Sequence, residues 1–154
     1  MPKHDWNSLQ HYLDIHEKTL RQYHRYMETP RNYRYEQVTP SWHVLSCPMI
    51  IFHTYKGTRV RADIHKDIEV DLSNPKRLRA RTFRYSYNAN IPGKAVLIRY
   101  CSPHDDWEEE GSASHHAHHH RHDFATNPKG EVKILGPDNW PHVGEFFEEI
   151  LNTF

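Results

Sequence analysis

Six of the fifteen histidines in this chain lie within ten residues, from His115 to Phe124. Histidine exchanges protons near neutral pH, because its unperturbed pKa is about 6.5, and it is also the commonest metal ligand among side chains. Thirty further residues with patterned hydrophobicity follow Phe124, so the run is part of the protein and not a purification tag. The run therefore indicates either proton-transfer chemistry or metal binding.

The histidine run would divide between two faces if it forms a strand, since successive side chains of a strand point to opposite sides. Four imidazoles on one face are too polar for a core and repel one another when protonated, so we expect that face to be open to solvent or substrate. Three interpretations stay open: general acid–base catalysis on a phosphoryl or acyl substrate, a zinc site, or a solvated loop without a role. The face with four imidazoles would carry His116, His118, His120 and His122, and the opposite face His115, His119 and Arg121.

Cationic and aromatic side chains are interleaved upstream of the histidine run. Guanidinium groups neutralise phosphates and aromatic rings stack on bases, so this composition is typical of proteins that bind single-stranded nucleic acid. It is also typical of outward-facing charges that keep a sheet soluble and hinder its edge strands from pairing with other chains. The candidate RNA-binding residues are Arg79, Arg81, Arg84, Tyr85, Tyr87 and Tyr100, with Arg99 beside them.

Composition indicates a small folded protein, expected to be a single domain over residues 1–154. Only 36% of the residues are hydrophobic, but 4 Trp, 9 Tyr and 6 Phe are too many aromatic residues for a disordered chain. The formal net charge is zero, with basic and acidic clusters segregated along the chain, which suits a surface that faces a polyanion. Cys47 and Cys101 are too far apart for a CxxC metal site and are expected to be small buried residues.

Several function classes are excluded or disfavoured by missing motifs. The chain has no GxGxxG or GKS nucleotide-binding loop, no HExxH metalloprotease motif and no serine nucleophile elbow. No signal peptide or apolar run of about 18 residues is recognisable, so we expect a soluble cytoplasmic protein without membrane contact. Any chemistry must come from His, Arg, Tyr and carboxylate side chains.

Hydrophobic periodicity predicts a helix, a series of strands and a final helix. An apolar stripe with His16 as its polar member predicts a helix over 5–28, with Asp5 as cap and Thr29-Pro30 as stop. His16 is expected to be a hydrogen-bonded core histidine. Pro137 to Pro141 opens the last helix, whose cap would be Asp138 or Asn139. Strands are predicted at 49–55, 59–64, 68–72, 77–88, 95–101 and 132–135, with the histidine run as a further one.

Short connections between the strands predict antiparallel pairing. The predicted fold class is therefore α+β, with an antiparallel β-meander of five to six strands and an N-terminal and a C-terminal helix packed on it. The last helix should bury one apolar face, formed by Val143, Phe146, Phe147, Ile150 and Leu151.

Three short motifs and the elements that follow them resemble toxins of the TumE type, which are the toxin halves of prokaryotic toxin–antitoxin pairs. The family has a Tyr-x-Tyr strand, an Arg-Tyr-Asp-Asn-x-Pro-His stretch and a His-His-Lys-His stretch. Cys101 and Ser102 stand where the family has Asp and Asn, and 115–118 matches the third stretch almost as well as 119–122. The resemblance covers about residues 50–152. The matching residues are Tyr85, Tyr87, Arg99, Tyr100, Pro103, His104, His119, His120, Arg121 and His122.

The resemblance implies a small α+β toxin that acts on RNA and is silenced by a cognate antitoxin; a homodimer is compatible with it. Combined with the histidine run, it predicts a metal-independent endoribonuclease in which the RNA 2′-hydroxyl attacks the neighbouring phosphate. His120 and His122 are the predicted acid/base pair, with His104 the next candidate, while Arg99 and Arg121 hold the phosphate. Tyr85 or Tyr87 would stack a base. No cofactor is expected on this interpretation.

Two alternatives belong to other classes of protein. A non-catalytic zinc-binding module would use His116, His118, His120 or His122 as ligands. A nucleic-acid-binding protein without turnover would need only the arginine and tyrosine residues.

Overall fold

The fold is an antiparallel sheet with two helices on it, as the sequence predicts. The computed structural model describes residues 3–28, 33–103 and 118–154. These residues form eight strands, more than the five or six predicted, and two α-helices. Neither helix is long and apolar enough to cross a membrane, considering the described residues alone.

The strands follow one another through the sheet in chain order, apart from the first. The order is β2-β3-β4-β5-β6-β7-β8, every neighbouring pair is antiparallel, and β1 pairs with β5. The bounds are β1 Asn7–Ser8, β2 Arg34–Thr39, β3 Trp42–His53, β4 Arg59–Asp71, β5 Arg79–Asn90, β6 Ile98–Cys101, β7 His119–Asp123 and β8 Glu131–Leu135, with helices α1 Leu9–Tyr23 and α2 Val143–Thr153.

Helix α1 is shorter than the predicted 5–28. The backbone is still extended at Asn7, which pairs with Ala80 of β5, so the helix begins only at Leu9. Its cap is Ser8, whose Oγ accepts a hydrogen bond from the His11 amide at 3.1 Å, and the prediction of Asp5 as cap is wrong. A single 3-10 turn follows α1, and the predicted Thr29-Pro30 stop lies outside the described residues.

Helix α2 also begins later than predicted. Residues 137–139 form a turn in which the Asn139 amide donates to the Gly136 carbonyl at 3.0 Å, so neither Asp138 nor Asn139 is the cap. His142 is the N-cap, and Glu145 accepts a hydrogen bond from its amide, which completes a capping box. The predicted apolar face of α2 is confirmed, since its five residues are all buried.

Strand boundaries differ from the prediction most at β2, β3 and β4. Strand β3 covers Trp42–His53, where the predicted strand is 49–55. Strand β2 was not predicted, because its six residues are all exposed and show no alternation. Strand β4 is one element of 13 residues where two pieces, 59–64 and 68–72, were predicted. Its inward positions alternate without a break, and Lys66 occupies one of them between Ile64 and Ile68.

The sheet has one face covered by helices, called here the helix face, and an opposite face called the open face. Tyr87 of β5 and Phe146 of α2 are both fully buried, with ring centroids 5.3 Å apart, and mark the centre of the core on the helix face. Burial of a phenylalanine side chain contributes about 1.5 to 3 kcal/mol, so the five apolar residues of α2 are enough to hold it on the sheet.

Candidate functional site

The histidine run forms a strand at its C-terminal end, as predicted. Strand β7 lies between β6 and β8, and His120 and His122 share the open face. Their ring centroids are 5.0 Å apart and the rings are nearly perpendicular, at 84°. The two imidazoles predicted as the acid/base pair are therefore brought together.

The two imidazoles differ in access to solvent. His120 is only 1% exposed, and its Nδ1 donates a hydrogen bond to the His118 carbonyl at 2.8 Å. The expectation that all of this face is open is therefore wrong at His120. His122 is half-buried, and its ring lies parallel to that of Phe124 with centroids 6.2 Å apart. A substrate can reach His122 more readily than His120.

Arg99 lies directly opposite His122, because the two are cross-strand partners of β6 and β7. Its side chain is on the exposed side, its Nε donates to Cys101 Sγ at 2.9 Å, and no described carboxylate lies within ion-pair distance of it. Asn88 is the partner of Arg99 on β5, and its buried Oδ1 accepts no hydrogen bond from any described residue. We call His120, His122 and Arg99 the histidine cluster.

Cys101 is placed beside the histidine cluster but is not suited to nucleophilic chemistry. It is 4% exposed, and burial raises the pKa of its thiol, with Arg99 opposing that shift only in part. A thiol with a raised pKa stays protonated at neutral pH and is a poor nucleophile. Cys47 is also buried and outside any disulfide, so the expectation of two small buried residues is confirmed.

Arg121 lies on the helix face and not with the histidine cluster. Its Nη2 is 2.5 Å from Glu149 Oε1 and its Nη1 is 3.1 Å from Asp123 Oδ2. Burial alone would lower the pKa of Arg121, but the hydrogen bond and charge of Glu149 raise it above its ordinary value. The prediction that Arg121 holds the substrate phosphate with Arg99 does not fit this placement, because alternation along β7 points Arg121 to the other face and its guanidinium is paired with Asp123 and Glu149.

The three tyrosines predicted to contact RNA also lie on the helix face. Tyr87 is fully buried, Tyr85 is 4% exposed, and Tyr100 is 8% exposed with its hydroxyl donating to Glu149 at 2.6 Å. The ring of Tyr85 is stacked on that of Trp140, with centroids 4.1 Å apart. Base stacking on these rings does not fit this arrangement, because the protein core already covers them.

Arg79, Arg81 and Arg84 are outward-facing and ion-paired. Each binds a carboxylate of the neighbouring strand β4, at 2.8 Å, 3.0 Å and 3.2 Å respectively. The partners are Asp71, Glu69 and Asp67. These pairs neutralise the positive charge that was predicted to attract RNA, so the arrangement favours the alternative of ordinary surface charge.

The remaining predicted site residues can be placed only in part. His104 and His116 lie outside the described residues, as does His115. His118 is exposed, and His119 lies on the helix face with its Nδ1 3.0 Å from the Tyr85 hydroxyl, as the alternation predicts. Within the residues that the structure describes, no three His, Cys, Asp or Glu side chains converge to hold a metal ion.

Sequence reasoning missed a second group of titratable residues, on the helix face. Lys66 is buried there, 4% exposed, next to a cavity that His16 also lines. The expectation for His16 is confirmed, since it is buried and its Nδ1 donates to the Tyr12 carbonyl at 2.9 Å. The signal for Lys66 was present in the sequence, because the alternation of β4 points this residue inward.

The chain has no match among protein-family models, curated proteins or solved structures. Its function has to be inferred from its own residues. In the histidine cluster, a part-exposed imidazole and a guanidinium without a described carboxylate partner face each other, with a second imidazole at their side. Such a cluster can transfer protons and bind an oxyanion.

Proposed function

We propose that this protein is an RNA-cleaving toxin whose active site is the histidine cluster. The observation that carries the proposal is the pairing of His122 with Arg99 across β6 and β7, with the ring of His120 5.0 Å from that of His122. An imidazole that accepts a proton and an adjacent cation are what cleavage by an internal hydroxyl requires. The resemblance to TumE-type toxins supports the same reaction.

The reaction would proceed by transesterification. His122 removes the proton of the RNA 2′-hydroxyl, the oxygen attacks the adjacent phosphorus, and the bond to the 5′-oxygen breaks. The leaving oxygen receives a proton from a second acid, for which His120 and His104 are the candidates. Arg99 binds the phosphate oxygens, where negative charge increases in the transition state. The products are a 2′,3′-cyclic phosphate and a 5′-hydroxyl.

A cognate antitoxin would silence the enzyme by covering the open face of β7 and β8. Val132 and Ile134 of β8, which are 41% and 51% exposed, are the cross-strand partners of His122 and His120. Exposed apolar side chains beside a polar site are suited to a protein partner, and a partner bound there would exclude RNA. This placement supports an inhibitor that acts by direct occlusion.

Expression of the protein without an antitoxin in bacteria tests the proposal. The wild type is expected to arrest growth, and Arg99→Ala to relieve the arrest, because the phosphate loses its cation. Arg84→Ala is the matched control, since Arg84 is also an exposed arginine but is paired with Asp67. Soluble Arg99→Ala protein that is as toxic as the wild type would rule out the assigned site. If Arg84→Ala relieves the growth arrest as much as Arg99→Ala does, the effect is one of general surface charge.

A further inference from the structure

A small cavity lies on the helix face, remote from the histidine cluster. It is enclosed by the N-terminal segment, α1, β4, β5 and the start of α2, and its volume is about 80 Å³. Because about 10 to 15 Å³ of such accessible space is enough for one water molecule, the cavity has room for several waters or for one compact polar group. The polar side chains that reach it include those of Lys66, His16, His4 and His142.

The buried lysine is the unusual feature of this cavity. Lys66 is 4% exposed, and its ammonium group has no hydrogen bond or ion pair to any described residue. Its Nζ lies 5.7 to 5.9 Å from the ring centroids of Tyr12, Tyr87 and Trp140, so aromatic faces are its nearest favourable contacts. A buried ammonium without an anion is costly, and a bound anion would remove most of that cost.

His16 supplies a hydrogen-bond acceptor to the same cavity, which complements the Lys66 donor. Its Nδ1 donates to the Tyr12 carbonyl, so in the neutral imidazole the Nε2 atom is an acceptor. This Nε2 is buried and has no hydrogen-bond partner among the residues described. The ring is kept neutral chiefly by burial and next by the charge of Lys66, which together lower its pKa to about 3. The cavity therefore presents a cationic donor and a neutral acceptor.

The rest of the lining is also favourable to an anion. Val143 and Gly144, the first two residues of α2, border the cavity, so the positive end of an 11-residue helix faces it. Asp5 is the one carboxylate among the described residues that line the cavity; it is exposed and accepts a hydrogen bond from the Trp6 amide. Lys3, at the rim, is paired with Glu145.

We propose that this cavity binds inorganic phosphate, which still carries at least one P–OH group at neutral pH. The anionic oxygens accept from the Lys66 ammonium, and the remaining P–OH donates to His16 Nε2. This pairing satisfies both buried groups at once. Sulfate has no such proton at neutral pH and should leave His16 unsatisfied. The inference does not rest on the proposed ribonuclease activity, because none of these residues belongs to the histidine cluster.

Thermal unfolding with inorganic phosphate as the probe tests this inference. Raising phosphate from about 0.1 to about 10 mM at pH 7, with chloride adjusted to keep the ionic strength constant, should raise the melting temperature of the wild type by about 3 °C or more. His65→Ala and Lys76→Met should show the same rise, since neither residue lines the cavity. Lys66→Met and His16→Phe should each lose most of it.

Three results would overturn the inference. The first is no rise in the wild type. The second is a rise in Lys66→Met and His16→Phe equal to that of the wild type. The third is an equal rise with sulfate at the same ionic strength, because sulfate cannot donate a proton to His16 at neutral pH. Because His16→Phe tests the same cavity, the inference stays testable even if one variant folds poorly.

Discussion

Replacing His122 by alanine is expected to lower the rate of RNA cleavage by about two to four orders of magnitude, the usual loss when one acid/base group is removed. His122 is half-buried and can contact substrate, while the neighbouring His120 is 1% exposed. The rate should be measured with purified protein on single-stranded RNA.

The matched control for this variant is His65→Ala. His65 is an exposed histidine on the same open face, on β4, where its nearest acidic partner is Asp67 at 3.5 Å. Its loss should leave the cleavage rate within a factor of about two, since surface substitutions of this kind change little. A folded His122→Ala protein that cleaves RNA as fast as His65→Ala would remove His122 from the mechanism.

Replacing Lys66 by methionine is expected to stabilise the protein at neutral pH. Burial lowers the pKa of Lys66 from 10.5 to about 7. Each pK unit corresponds to about 1.4 kcal/mol. Protonation of the amine in the unfolded state therefore lowers the free energy of unfolding by roughly 4 kcal/mol at pH 7. Methionine has a similar length and packs well against aromatic rings. The gain should appear as a higher free energy of unfolding in urea.

The same variant should change the pH dependence of stability. The folded-state pKa of Lys66 lies below the unfolded value, so the unfolded state binds more protons and stability rises with pH between the two values. The free energy of unfolding of the wild type should therefore rise by about 2 kcal/mol from pH 7 to pH 9, and this rise should be absent in Lys66→Met. Lys76→Met, at an exposed turn, should keep it. A wild type whose stability is flat over this range would contradict the burial of a neutral amine.

The period-two pattern along the strands was enough to predict the faces of β7 and the inward residues of β4. It placed His120 and His122 together and Arg121 opposite, as the structure confirms. The same pattern passes through Lys66, which lies between the two strands predicted at 59–64 and 68–72. A polar residue at an inward position is informative because charges are rarely buried without a reason.

The pattern could not say which face of the sheet the helices cover. Tyr85 and Tyr87 share a face in any strand, but whether that face binds RNA or packs in the core depends on where α2 lies. Arg79, Arg81 and Arg84 likewise appeared as free cations, because their carboxylate partners lie 8 to 17 residues earlier, across the β4–β5 hairpin. Such pairs are set by register, which a bulge between Asp67 and Ile68 alters.

The start of α1 was predicted with the right kind of capping residue at the wrong position. Asp5 and Ser8 are both good caps, and the choice between them was made by the short pairing of Asn7 with Ala80. This pairing is a tertiary contact between residues more than 70 positions apart, so local sequence does not reveal it. The same contact carries His4 and Asp5 to the rim of the Lys66 cavity.

The identity of the RNA ends produced in the presence of EDTA tests the central claim most directly. Cleavage by the histidine cluster needs no metal ion, so the wild type should cut RNA equally well with and without the chelator. Mass spectrometry of the fragments should find 2′,3′-cyclic phosphate and 5′-hydroxyl ends. Two results would contradict the account: cleavage that stops on chelation and returns with zinc, or fragments with 3′-hydroxyl ends. Either would indicate that the histidines bind a metal ion that activates a water molecule.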